Sequence, residues 1–254
     1  MQENEFFLRN EIMIKIAEKS NSKFFSFKEI ETNNNKFKAH IFKGWNKSLI
    51  IKLNLKANEF FDSHLVKENF PQIHNKEKLF ILTSGKVKFS CKTKNINLKN
   101  FDALNIFSED SNYRFEITED CNLFIVSSER LNKKQFMSEY FNFKKDIKAI
   151  DIWGGQCISR PYSGVDLNIV LFDLKPGFKF NDKGHSNEQI TWLIDGNMDF
   201  YCNEIKERLT NSNGVDIGAN HVHGGVSNGA IGFDAFFPKR NDEKYRQNVK
   251  TIKF

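Results

Sequence analysis

Short apolar runs, rich in β-branched and aliphatic residues and broken by polar punctuation, recur along most of this chain. "SLIIKLNL" at 48–55 and "LNIVLFDL" at 167–174 read as strands, as do "ALNIF", "NLFIVSS" and "IGFDAFF" further on. Two runs, "LFILT" and "ITWLI", are each followed by a turn signal, Ser84-Gly85 and Asp195-Gly196. Glycine accepts positive φ without steric cost, so both predict β-hairpins. Strands spaced by about 8 to 12 residues predict an all-β sandwich or barrel. Only two segments depart from this rhythm. Residues 4–19 place Phe7, Ile12 and Ile16 near helical spacing and predict a short N-terminal helix. Residues 131–150 lack Gly and Pro and predict a partly helical connector.

The pattern occurs twice. His74 and His185, Glu77 and Glu188, Gly85 and Gly196, and Cys91 and Cys202 are each 111 positions apart, and the register runs on to Ile106 and Ile217 before slipping by one. A repeat of that length signals tandem duplication. A chain of 254 residues is long for one core and comfortable for two. The expected division is an N-terminal domain, 1–140, and a C-terminal domain, 141–254. Only Gly44 and Gly85 precede residue 151, so the glycines that permit close approach of backbone to ligand gather in the second copy. That copy is expected to do the work.

Composition narrows the function. With 39% hydrophobic and 28% charged residues and a mean hydropathy of -0.53, the chain can build a core, and no run of 18 apolar residues predicts a membrane span. The first 19 residues carry early acids and no apolar h-region, so they do not read as a secretory signal. Cys91, Cys121, Cys157 and Cys202 are widely spaced without a C-x-x-C pair. Reduced thiols and a cytoplasmic setting are expected. The net charge of +6 comes from Lys and Arg scattered among Asp and Glu, with no zinc-finger or RNA-binding signature, so nucleic acid is not an expected partner.

Two stretches carry candidate chemistry: "KGHSNEQITWLIDG" at 183–196 and "IGANHVHGGVSNG" at 217–229. Their spacing resembles the cupin superfamily, in which two His one residue apart are followed by Glu or Gln four positions on and Gly seven further, with another His after a later turn. The duplication resembles the bicupins, and "HSNEQI" and "FDAFFPKR" are similar to the second half of the bicupin isomerases of bacilysin biosynthesis. The resemblance implies two tandem cupin barrels, of the double-stranded β-helix kind. It also implies a divalent transition metal held by His185, Gln189 and His223. Two imidazoles and a carboxamide oxygen suit Fe, Mn, Co, Ni, Cu or Zn without choosing among them.

Lys183 stands where the family has its first His, and is expected on the same strand face as His185. It admits three readings: a proton carrier with a lowered pKa, a cation replacing the metal, or a solvated lysine on a lineage that lost catalysis. The proton carrier is preferred. Arg160 is a candidate clamp for a substrate carboxylate in the barrel mouth, and Trp192 a candidate wall of the substrate site. Arg240 recurs as Arg130 and reads as structural, Glu188 as a structural ion pair, and His221 as a surface residue. In the first copy Gln72, Lys78 and Tyr113 replace Lys183, Gln189 and His223, so that copy reads as scaffold. The expected function is isomerase-like proton transfer on a small oxo-acid or sugar-like anion. The alternative is a metal-free binding or partner protein for a small anion. A homodimer is expected from the exposed barrel edges.

Overall fold

The computed structural model describes residues 21–30, 32, 37–45, 47–74, 76–107, 112–128, 137–240 and 251–254. The expected N-terminal helix, Arg130 and most of the connector's first half lie outside them. The elements up to the first copy's end are β1 (Lys23–Ser26), β2 (Lys28–Ile30), β3 (Lys38–Lys43), β4 (Leu49–Leu55), β5 (Phe60–Asp62), the helix α1 (Ser63–Asn69), β6 (Lys78–Cys91), β7 (Asn95–Leu98), β8 (Asp102–Ile106) and β9 (Tyr113–Ser127). After these come β10 (Glu139–Asn142), β11 (Ile150–Ile152), β12 (Cys157–Ser163), β13 (Asn168–Asp182), β14 (Glu188–Cys202), β15 (Ile205–Leu209), β16 (Asn213–Ile217), β17 (His223–Phe237) and β18 (Ile252–Lys253). Within 137–150 the connector is strand and turn rather than helix. Alternation in "EYFNF" lets Phe141 and Phe143 bury, and sheet pairing with β8 outweighs a composition free of helix breakers.

The strands form two sheets, each within its own compact unit. One runs β10-β8-β6-β9-β4-β3-β2 with β18 beyond β10; the other runs β1-β16-β14-β17-β13-β12-β11. Position by position the two orders correspond, which shows the duplication in the topology. The units are not contiguous in sequence. Of the described residues, 21–27 and Gly44, Trp45 and Lys47 cluster with residues from Ile147 to Arg240, and 251–254 with the first copy. Hence β1, from before the first copy, pairs with β16.

The two expected hairpins are not turns. β6 runs straight through Ser84-Gly85, and β14 through Asp195-Gly196. The register of β14 against β17 shifts between Leu193 and Asp195 and again between Gly196 and Met198. Gly196, at φ +74°, uses its left-handed freedom to bulge and bend one long strand. On the inward face the bend brings together Leu193, Met198, Phe200 and Cys202 with Phe172, Leu174 and Phe178 in one apolar core. The first copy has its own core around Phe61, Phe80, Phe89 and Phe115. The cysteines are free thiols: Cys121, Cys157 and Cys202 are buried and Cys91 half-buried. None of the described helices is long and apolar enough to cross a membrane.

Candidate functional site

The site grows from three places in the second copy's sheet. β13 stops at Asp182, and the chain turns at Gly184, whose φ is +94° and whose amide donates to Asp182 Oδ1 at 2.8 Å. A Cβ on Gly184 would collide with the backbone of Asn220, so only glycine lets the 183–187 loop lie against the 218–222 turn. Asn220 N–H then donates to His185 O at 2.7 Å. This contact joins the loop bearing His185 to the turn that leads into His223, the first residue of β17. Gln189, second in β14, completes the group.

His185 touches both of the others. His185 Nε2 lies 2.9 Å from Gln189 Oε1, and the rings of His185 and His223 are 5.6 Å apart at 84°. His223 donates from Nδ1 to His221 O at 3.0 Å, which leaves Nε2 with its lone pair. His221 is half-buried rather than on the surface, because Ser22 Oγ, 2.6 Å from its Nδ1, holds the ring while accepting from Gly218 N at 2.9 Å. Burial lowers the pKa of His223, and lowers that of His185 to about 4, helped by the Arg240 charge. Both shifts favour the neutral imidazole, the form a metal requires.

Behind Gln189 stands a half-buried acid. Gln189 Nε2 donates to Asp234 Oδ1 at 3.0 Å and to Thr191 Oγ1 at 2.9 Å, and Thr191 Oγ1 donates to Asp234 Oδ1 at 2.6 Å. Burial raises the Asp234 pKa to about 6 against the opposing effect of these two donors. Burial also pushes Asp182 upward, but the Gly184 amide and the neighbouring imidazoles and Arg240 outweigh it and hold its carboxyl below the usual range. Gln189, Thr191 and Asp234 form the polar end of a cavity of about 110 Å³, walled by Phe172, Phe178, Phe180 and Phe200.

Three expected site residues do not join this group. Lys183 is exposed and lies in the loop beyond β13, because the left-handed Gly184 breaks the strand alternation that would have aligned it with His185. Arg160 alternates with Cys157 and Ser159, which line the cavity, so it projects to the opposite face of β12. Trp192 likewise alternates with Gln189 and Thr191; it is fully buried and stacks on Phe233 at 5.5 Å instead of walling the cavity. Arg240, read as structural, places its guanidinium 4.9 Å from the Phe236 ring, and its charge acts on His185, His223, Asp182 and Asp234. Asp234 and Thr191 went unread in the sequence. An acid inside the apolar run "GFDAFF", and a Thr two residues after Gln189, were their signals.

The donor set fits a divalent ion. Two imidazoles and an amide oxygen are donor types that divalent transition metals take, and here His185 and Gln189 are held together by a 2.9 Å hydrogen bond. Among the described residues no three His, Cys, Asp or Glu side chains gather as a metal group, so the set depends on the Gln189 amide. The first copy's equivalent place is filled differently. Lys78 is buried, and its ammonium donates to the carbonyls of His74 at 2.9 Å and Lys76 at 2.8 Å.

No protein-family description and no curated protein sequence matches the chain. Solved structures do. AerE from Microcystis aeruginosa superposes with a TM-score of 0.66 at 12% identity, over 84% of this chain and 98% of that one. Oxalate decarboxylase from Bacillus subtilis, studied for its Mn(II) centres, gives 0.63 at 9% identity over 88% and 78%. A cupin 2 conserved barrel domain protein from Leptotrichia buccalis gives 0.56 at 12% identity over 82% and 92%. Identities this low establish shared architecture alone: the chain has a cupin fold.

Proposed function

We propose that each sheet closes as a cupin barrel and that the second is a metal-dependent small-molecule enzyme, its ion held by His185, Gln189 and His223. The observation that carries this reading is that His185 touches both the Gln189 amide oxygen and the His223 ring, beside a cavity that Gln189 lines. The Mn(II) centres of the oxalate decarboxylase neighbour support a divalent ion in this fold, without choosing the metal here. A bound divalent ion supplies Lewis acidity toward a carbonyl or carboxylate oxygen. Arg240 supplies a cation that favours an anionic substrate beside the histidines. The aromatic wall makes the cavity beside Gln189 and Asp234 apolar, which strengthens electrostatic contacts there. The chemistry we assign is isomerase-like proton transfer on a small oxo-acid or sugar-like anion, similar to that of the bacilysin bicupin isomerases. Lys183, the proton carrier suggested by motif position, would have to swing inward from solvent.

The test is metal analysis of protein purified without chelator or His-rich tag, together with solvent-deuterium exchange into small enolisable 2-oxo acids followed by NMR. The reading expects one divalent ion per chain and exchange above background, both lost in His223→Ala. Lys183→Met should retain the ion and lose exchange if Lys183 carries the proton. Protein that takes up no ion even on reconstitution, yet binds small anions, supports the metal-free binding alternative.

A further inference from the structure

We infer that Asp234 is a positioning residue that decides which end of the Gln189 amide faces the site, and through it the tautomer of His185. Only the metal arm of the test below rests on the proposed metal reading.

An amide offers an acceptor at one end and two donors at the other, in nearly the same shape, so its neighbours decide the orientation. Asp234 lies on β17 opposite Thr191 in the strand register, half-buried at the cavity wall. The Thr191 hydroxyl donates to Asp234 Oδ1 at 2.6 Å, and its lone pair is left to face Gln189 Nε2 at 2.9 Å. With Asp234 Oδ1 itself 3.0 Å from Nε2, both amide N–H groups are taken and Oε1 must point to His185. His185 then donates from Nε2, and its Nδ1 is buried with no hydrogen-bond partner among the described residues. The same orientation serves the loaded site, where Oε1 and Nε2 would both turn lone pairs to the ion. An Asn at 234 could present either end of its own amide and would release Gln189 to turn its NH₂ toward His185.

The experiment is side-chain NMR of the metal-free full chain labelled with 15N in Gln and His. Wild type should show slowly exchanging Gln189 side-chain protons and the Nε2–H tautomer of His185. Asp234→Asn should show fast exchange and a populated Nδ1–H form. Thr191→Val, which removes one acceptor from the same amide, should move both signals in the same direction by less, and carries the test if Asp234→Asn fails to fold. In the metal arm, calorimetric titration with Zn(II) should weaken about ten- to hundredfold in Asp234→Asn, as is usual when a group that orients a ligand is removed. Unchanged tautomer and exchange in both variants, or an Nδ1–H His185 in wild type, overturns the inference. Wild-type protein that binds no Zn(II) while the NMR differences hold sinks the metal reading and leaves the role of Asp234 standing.

Discussion

Asp216 on β16 shows how one residue can separate two copies of the same architecture. In the first copy the corresponding residue is Asn105, whose amide donates to Glu77 Oε1 at 2.6 Å. In the second, Asp216 is fully buried beside Glu188, which also accepts from Trp45 N–H at 2.6 Å. Burial first, and then the Glu188 charge, push the Asp216 carboxyl up to about 9 in spite of Lys23 Nζ at 3.7 Å. Its folded pKa exceeds its unfolded one, so the folded state holds a proton that the unfolded state has released. The stability this confers is complete below the unfolded pKa of about 4 and is lost as pH rises toward about 9. Asp216→Asn restores the first copy's amide and should flatten this fall, by on the order of a few kcal/mol between pH 6 and 9. Urea midpoints at the two pH values measure it, and an unchanged pH slope in the variant would contradict the account. Residue-level legibility follows a similar divide. His185, Gln189 and His223 were readable because their spacing is a property of the sequence. Lys183, Arg160 and Trp192 were misplaced because side-chain direction depends on strand parity and on the left-handed turn at Gly184.

Among elements, the long strands explain both what the pattern revealed and where it misled. Runs dominated by β-branched and aliphatic residues identified β4, β8, β9, β13 and β17 correctly, since such side chains suit a buried sheet. The Gly signals at 85 and 196 were real requirements for positive φ, assigned to the wrong device: a bulge needs the same backbone freedom as a tight hairpin, and local sequence does not distinguish them. Gly196 and Gly177 make a matched pair for testing this. Both have positive φ, but a Cβ at 177 meets open space, whereas at 196 it meets the Gly229 carbonyl. Gly177→Ala should cost about 1 kcal/mol, the ordinary strain of a left-handed alanine. Gly196→Ala should cost about 1–2 kcal/mol more, because the β17 backbone must move. Equal losses in urea denaturation would mean that the bulge tolerates a side chain.

At the level of the whole molecule, the duplication was legible because an offset of 111 repeats a His, a Glu, a Gly and a Cys together. The exchange of terminal strands was not. β1 has four residues and β18 two, too few to carry a pattern, and their places come from pairing with β16 and β10 far along the chain. The two copies share strand order yet treat the same position oppositely, Lys78 giving its ammonium to backbone carbonyls where Gln189 turns an amide oxygen toward the His185 imidazole. Under the function proposed above, this difference leaves a single working site per chain. Pulsed EPR of Mn(II)-loaded protein tests that most directly, by counting coordinated imidazole nitrogens. The account predicts two for wild type and one in His185→Ala or His223→Ala; a spectrum without imidazole nitrogen, or one unchanged by both substitutions, would contradict it.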